Sequence, residues 1–263
     1  MRKIFSAIAS CLVCSSLFAQ MDNTKPIPAA PKFNYTSDTK KFCIEFNFGP
    51  GIPMEDYGNI SQVPNPASDT THINGLASTG FHFNCSANYL FSQNFGGAAM
   101  VGLTFNSFNN TAWQKLRSQV IPGIITSADG NFHIGQYLIG PSASIPSGNI
   151  VKIGFKALLG VVSANFPVLT QTNPNNGNTL IVVKKFVSSN NFGYYFGANL
   201  NIMISTNIGL DFNVGYLGSD IDYHEIDVTK SQIGYAPYTN YSIYDRFMLL
   251  GILQMTGGIS INW

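Results

Sequence analysis

From Phe247 to Trp263 the apolar side chains Phe247, Leu249, Leu253, Met255, Ile259, Ile261 and Trp263 occupy odd positions, while Gln254, Thr256, Gly258, Ser260 and Asn262 occupy even ones. A period of two over about 17 residues is a strand, far from the 3.6 of a helix. Seven further segments alternate in the same way: 42–52, 80–91, 95–108, 133–145, 150–163, 191–204 and 207–217. The cleanest sets Ile208, Leu210, Phe212, Val214 and Tyr216 against Asn207, Gly209, Asp211, Asn213 and Gly215. Each segment therefore has two faces of opposite polarity, and the question is which face meets water.

Composition answers it. A soluble barrel of the lipocalin kind would carry Lys, Glu and Asp on its polar, water-facing side. Here the polar faces are Gly, Asn, Ser and Thr, and only 10% of the residues are charged. The apolar faces place aromatic residues near both strand ends: Phe81, Phe105, Tyr137, Tyr194, Tyr216 and Phe247 at one, Phe42, Phe91, Phe95 and Trp263 at the other. Two aromatic belts match the two interfaces of a bilayer. The uncharged run 186–210 is broken by asparagines and glycines and fails as a membrane helix. A closed sheet is then the way to satisfy backbone groups in lipid. The fold class expected is all-β, a closed antiparallel eight-stranded transmembrane β-barrel in up-and-down order. The net charge of +1 gives no footprint for nucleic acid.

The connections alternate in length. Ser92-Gln93-Asn94, Pro146-Ser147-Gly148-Asn149 and Ser205-Thr206 are tight turns, whereas 53–79, 109–131, 164–190 and 218–245 are long loops. Short turns belong to the periplasmic end and long loops to the extracellular end. Met1-Arg2-Lys3, the apolar run from Ile4 to Val13 and the small residues before Gln20 have the order of a secretory signal, so 1–19 is expected to be cleaved and 20–41 to be a flexible periplasmic lead-in. Pro141 has no N–H for a ladder without edges, and a bulge is expected there. Cys43 and Cys85 point to opposite faces and are expected to be free thiols.

Signal, eight strands, alternating connections and an aromatic end resemble the small OmpA/OmpX-type outer-membrane barrels, including the outer membrane protein beta-barrel families of Bacteroidota. The resemblance covers 42–263. It implies that Thr256, Gly258, Ile261 and Trp263 form the terminal signal read by the barrel-assembly machinery. The expected protein is a monomer in the outer membrane, in contact with lipid and lipopolysaccharide.

Eight strands close on an interior that side chains fill. The inward charges expected are Glu45, Lys152, Lys156 and Asp211, with His82 nearer the loops. Buried charges need partners, and the expected pairs are Glu45 with Lys152 low in the barrel and Asp211 with Lys156 at mid-depth. The expected loop surface is Trp113 in the second loop with Asp220, Asp222, Tyr223, Tyr235, Tyr238 and Tyr241 in the fourth. The fourth-loop carboxylates do not follow an EF-hand spacing and read as a solvated loop, so neither metal nor cofactor is expected. No histidine has a serine two positions on, and enzymatic chemistry such as lipid A modification is not expected. The function expected is a structural or adhesive barrel with ligand-contacting loops, the alternative being a narrow channel.

Overall fold

The computed structural model describes residues 41–60, 73–147, 150–175, 178–188, 190–232 and 240–263. Eight strands form the ring: β1 (Phe42–Met54), β2 (Gly80–Leu90), β3 (Phe95–Asn106), β5 (Phe132–Ser147), β6 (Val151–Asn165), β9 (Asn190–Met203), β10 (Ile208–Gln232) and β11 (Asn240–Asn262). Each pairs antiparallel with the next, and β11 returns to β1 through Ile44↔Ile261 and Asn47↔Gly258. The meander closes on itself and leaves no ring edge.

The ring is inside out relative to a soluble domain. Ile139 is 70% exposed on the wall, whereas Asp211, Asn47 and His82 are wholly buried in the lumen. Phe42 packs on Trp263 at 5.7 Å at the short-turn end, and Tyr194 on Tyr216 at 6.2 Å at the other. These pairs sit where the aromatic belts were expected, so the exposed apolar band between them is the lipid-facing wall. No helix among the described residues is long and apolar enough to cross a membrane.

β10 and β11 run far beyond the expected ends at 217 and 247. Up to Gly215 the inward face of β10 is polar. From Leu217 upward the inward face gains the buried apolar Leu217, Ile221 and Tyr223 beside Ser219 and Glu225, while Asp220, Asp222 and His224 point out. The period of two continues, but the polarity inverts where the wall leaves lipid for water. The ladder between the two strands runs on to Thr229↔Asn240.

On this extension stands a cap. β10 also pairs with β8 (Asn178–Ser188), β8 with β7 (Val168–Asn175) and β7 with β4 (Ile125–Asp129). Much of the described part of the long loops is thus built into strands and helices. The open edge, β4, is covered by α2 (Asn110–Val120), with α1 (Glu55–Gly58) earlier in the chain. Thr126 N–H donates to Gln114 Oε1 at 2.7 Å and Ala128 N–H to Asn110 Oδ1 at 2.9 Å, so helix side chains satisfy donors that would otherwise invite another strand. Asn109 caps the helix by accepting from Ala112 N–H at 2.9 Å.

The expected bulge at Pro141 is absent. Ile139↔Leu159 and Ser142↔Lys156 keep one register across it, and Pro141 itself lies opposite Gly97 of β3. No residue is inserted; the ladder to β6 is interrupted at Gly140 and Pro141. Two of the tight turns share one device: Ser92 Oγ accepts from Phe95 N–H at 3.2 Å and Ser205 Oγ from Ile208 N–H at 3.0 Å.

Candidate functional site

Two internal constellations, one in the lumen and one in the cap, hold the buried charge. In the lumen Lys156 Nζ donates to Glu45 Oε2 and, at 2.9 Å, to Ser86 Oγ. Glu45 also accepts from Ser86 at 2.8 Å and Asn88 at 3.0 Å. Asp211 accepts from Asn199 Nδ2 at 2.9 Å. The expected pairs are therefore corrected: Lys156 serves Glu45, and Lys152 lines a cavity of about 60 Å³ at the short-turn end together with Cys43 and Asn201. Strands tilt in a barrel, so rank along each strand does not give depth across the ring.

β1 and β6 lie four steps apart in the ring, on opposite walls. The Lys156–Glu45 pair therefore crosses the full width of the lumen. Gln254 Nε2 on β11 donates to Gln136 Oε1 on β5 at 3.0 Å, a second tie across opposite walls. Tyr195 closes more of the space. Its hydroxyl donates to Asn213 Oδ1 at 3.1 Å, and the ring lies over Gly197 and Gly215, where an added Cβ would come within 2.3 and 2.1 Å of the hydroxyl oxygen. His82 is engaged with Thr104 Oγ1 at 2.8 Å and Asn84 at 3.0 Å.

Above these ties the mouth is filled by rings. Phe166 stacks within 4.3 Å of Phe186 and 4.9 Å of Phe132, Tyr57 meets Phe132 edge-on at 5.0 Å, and Trp113 meets Phe108 at 5.6 Å. Trp113 and Tyr223 are 5% and 1% exposed, so both leave the expected loop surface and belong to the core of the cap. A Trp in a helix that must cover a sheet edge is an anchor to that sheet; the inward phase of β10 does the same to Tyr223. Asp220 and Asp222 are exposed on the outer face. Tyr235 and Tyr238 lie outside the described residues, as do the signal 1–19 and the lead-in 20–40; Tyr241 stands opposite Val228 in the ladder.

The cap has its own ion network, not singled out from the sequence. Glu225, 2% exposed, accepts from Lys184 and from Arg246, and Lys184 also reaches Asp227 at 3.1 Å. Three neighbouring strands, β8, β10 and β11, are tied by it. Burial alone would raise the Glu225 carboxyl, but hydrogen bonds and charge from Lys184 and Arg246 outweigh burial and hold it below its ordinary value. Burial and the Glu225 charge raise the neighbouring Asp227. A depressed carboxyl contributes stability that is present above its unfolded value and lost as pH falls through the folded one. Asp227, being raised, protonates first and without loss. The cap is expected to stay protease-resistant from neutral pH into the ordinary carboxylate range near 4, opening only at still lower pH; opening that tracks the higher Asp227 titration would disprove the assignment.

Of the four residues expected to form a terminal signal, Thr256 points into the lumen and Trp263 out. Gly258 has a packing reason of its own: a Cβ there would lie 1.9 Å from Phe46 O. Gly258→Ala is expected to impair refolding of the purified chain into detergent, with no assembly machinery present, by about 1–3 kcal/mol. Normal refolding in detergent with failed insertion in cells would leave recognition as the residue's only role.

No protein-family model and no curated protein sequence matches the chain. Among solved structures it is similar to Ail, the attachment invasion locus protein of Yersinia pestis, at 14% identity, covering 85% of this chain and 97% of that one, with a TM-score of 0.37. Neisserial surface protein A gives 13% identity, 84% and 97% coverage and a TM-score of 0.41. A major outer membrane protein from Thermus thermophilus gives 11% identity, 86% and 100% coverage and a TM-score of 0.44.

Proposed function

We propose that this chain is an outer-membrane barrel, monomeric and placed by the barrel-assembly machinery, that works through its cap as a structural or adhesive protein contacting an extracellular ligand or surface. The observation that carries this reading is the doubly tied lumen: one ion pair and one amide pair join opposite walls, with an aromatic core stacked above them. A buried charge pair and a dry aromatic core are poor conduits for solute. The lipid-facing wall meets outer-membrane lipid and, at its upper belt, lipopolysaccharide.

Single-channel recording of the refolded barrel in a planar bilayer tests the closed lumen. Silence from a barrel that shows heat-modifiable migration is expected; reproducible steps that change in Lys156→Met would establish the channel instead. The cap is tested by excising 233–239 and measuring adherence of cells displaying the protein. A longer cut through 220–242 would remove the buried Ile221, Tyr223 and Glu225 and unfold the cap. Full adherence by the short excision would place any contact elsewhere.

A further inference from the structure

The lipid-facing wall is not evenly clad. One row around the ring from β3 to β10 reads Phe95, Ala143, Phe155, Ala198, Val214, so large and small side chains alternate across neighbouring strands. In the row next nearer the loops Pro141 and Ala157 are short, while Phe196 and Tyr216 are long. Phe155, 47% exposed, therefore stands as a post with an alanine on each flank and low ground above it. The result is a hollow of about 600 Å³ on the outside of the wall, reaching from Phe95 to Tyr216 and Leu253. That is the volume of an ordinary small-ligand pocket.

Its shape is that of a chain. The hollow crosses from β3 to β11, five steps around the ring, which at about 4.8 Å per strand makes it roughly 24 Å long. Its outward lining is apolar; Lys156 and Ser142 border it from behind, and both are buried with their side chains on the lumen side. The two ends differ. Toward the loops Tyr194 packs on Phe196 at 5.9 Å and on Tyr216 at 6.2 Å, and this cluster walls off the upper end. Toward the short turns the hollow is open over Ala143, between Phe95 of the lower aromatic belt and Phe155.

We propose that this groove holds one acyl chain of a phospholipid from the leaflet at the short-turn end, laid over Ala143, Ala157 and Ala198 around the Phe155 post. The occupant follows from continuity with the wall: the groove is sunk in the apolar band between the two aromatic belts, so hydrocarbon is what lies against it. The inference thus rests on the reading of that band as membrane-facing. A chain lying on flat wall touches protein on one side, whereas in the groove the Phe155 and Phe196 rings add contacts from the flanks, and dispersion gains add up along its length. The open lower end and the closed upper end set the leaflet from which the chain enters.

Native mass spectrometry of the full chain, extracted from its membranes in mild detergent, should find one phospholipid retained on each barrel. Ala198→Phe fills the groove from the lipid side and should lose that lipid while keeping heat-modifiable migration. Ala87→Phe, which fills a separate hollow of about 440 Å³ on the same wall, should retain it. Crystals grown from bicelles of phosphatidylethanolamine brominated at mid-chain should show a bromine anomalous peak beside Phe155. Equal lipid loss in the two variants, or bromine spread along the wall with none in the groove, would overturn the site and leave the membrane-facing wall standing. No bromine anywhere on the band would overturn both readings. A retained mass of lipopolysaccharide, or a second copy of the chain seated in the groove, would overturn the choice of occupant.

Discussion

Lys156→Met should destabilise the refolded barrel by about 3–5 kcal/mol, read as a lower urea midpoint of refolding in detergent or lipid vesicles. Methionine matches the length of the lysine stem, so little packing is lost; what is lost is the ammonium that compensates Glu45. That carboxylate is 4% exposed on the opposite wall and would keep only neutral donors such as Ser86 and Asn88. The double variant Lys156→Met with Glu45→Gln should recover most of the loss, because glutamine is neutral, its oxygen can still accept from Asn88 and its NH2 can donate to the Ser86 hydroxyl. Lys152→Met is the control. Its side chain lies at the half-exposed mouth, and a change within about 1 kcal/mol is expected. Equal losses for the two lysines, or no rescue in the double variant, would contradict the cross-lumen assignment.

The ring was legible because lipid on one side and a narrow lumen on the other impose opposite chemistry on alternate residues through the membrane. Asn207 to Gly215 states this plainly. The cap was not legible because the same strand changes solvent at Leu217. Above that point Leu217, Ile221 and Tyr223 turn inward and Asp220, Asp222 and His224 outward, which reads as a polar loop unless the inverted phase is followed. A period-of-two test indifferent to sign would have carried β10 upward and taken Tyr223 off the surface. The lumen partners were misread for another reason. Glu45 and Lys156 are 111 residues apart and meet across the barrel, and strand tilt, which position along a strand does not reveal, decides which lysine arrives. Tyr195 escaped notice because, in a segment of many outward aromatics, its odd position was the only sign that it points in.

Phe166→Ala should loosen the cap and leave the transmembrane ring intact. Phe166 is 8% exposed and touches Phe108, Phe132, Phe186 and Tyr223, with centroid distances of 6.2, 4.9, 4.3 and 5.6 Å. It sits in the link between β6 and β7, so it joins the wall to the added sheet. Removing a ring from such a site costs about 3–5 kcal/mol, through lost burial and the cavity left behind. The local stability of the cap is a fraction of the whole, and that loss should be enough to open it. Protease should then cleave within 109–131 and 164–190 on intact cells, while the membrane-protected core keeps its heat-modifiable migration. Conductance should stay silent, since the Gln136–Gln254 and Glu45–Lys156 ties lie below the opened rings. An open cap with new conductance would make the aromatic core the true seal and reduce the two ties to secondary contacts.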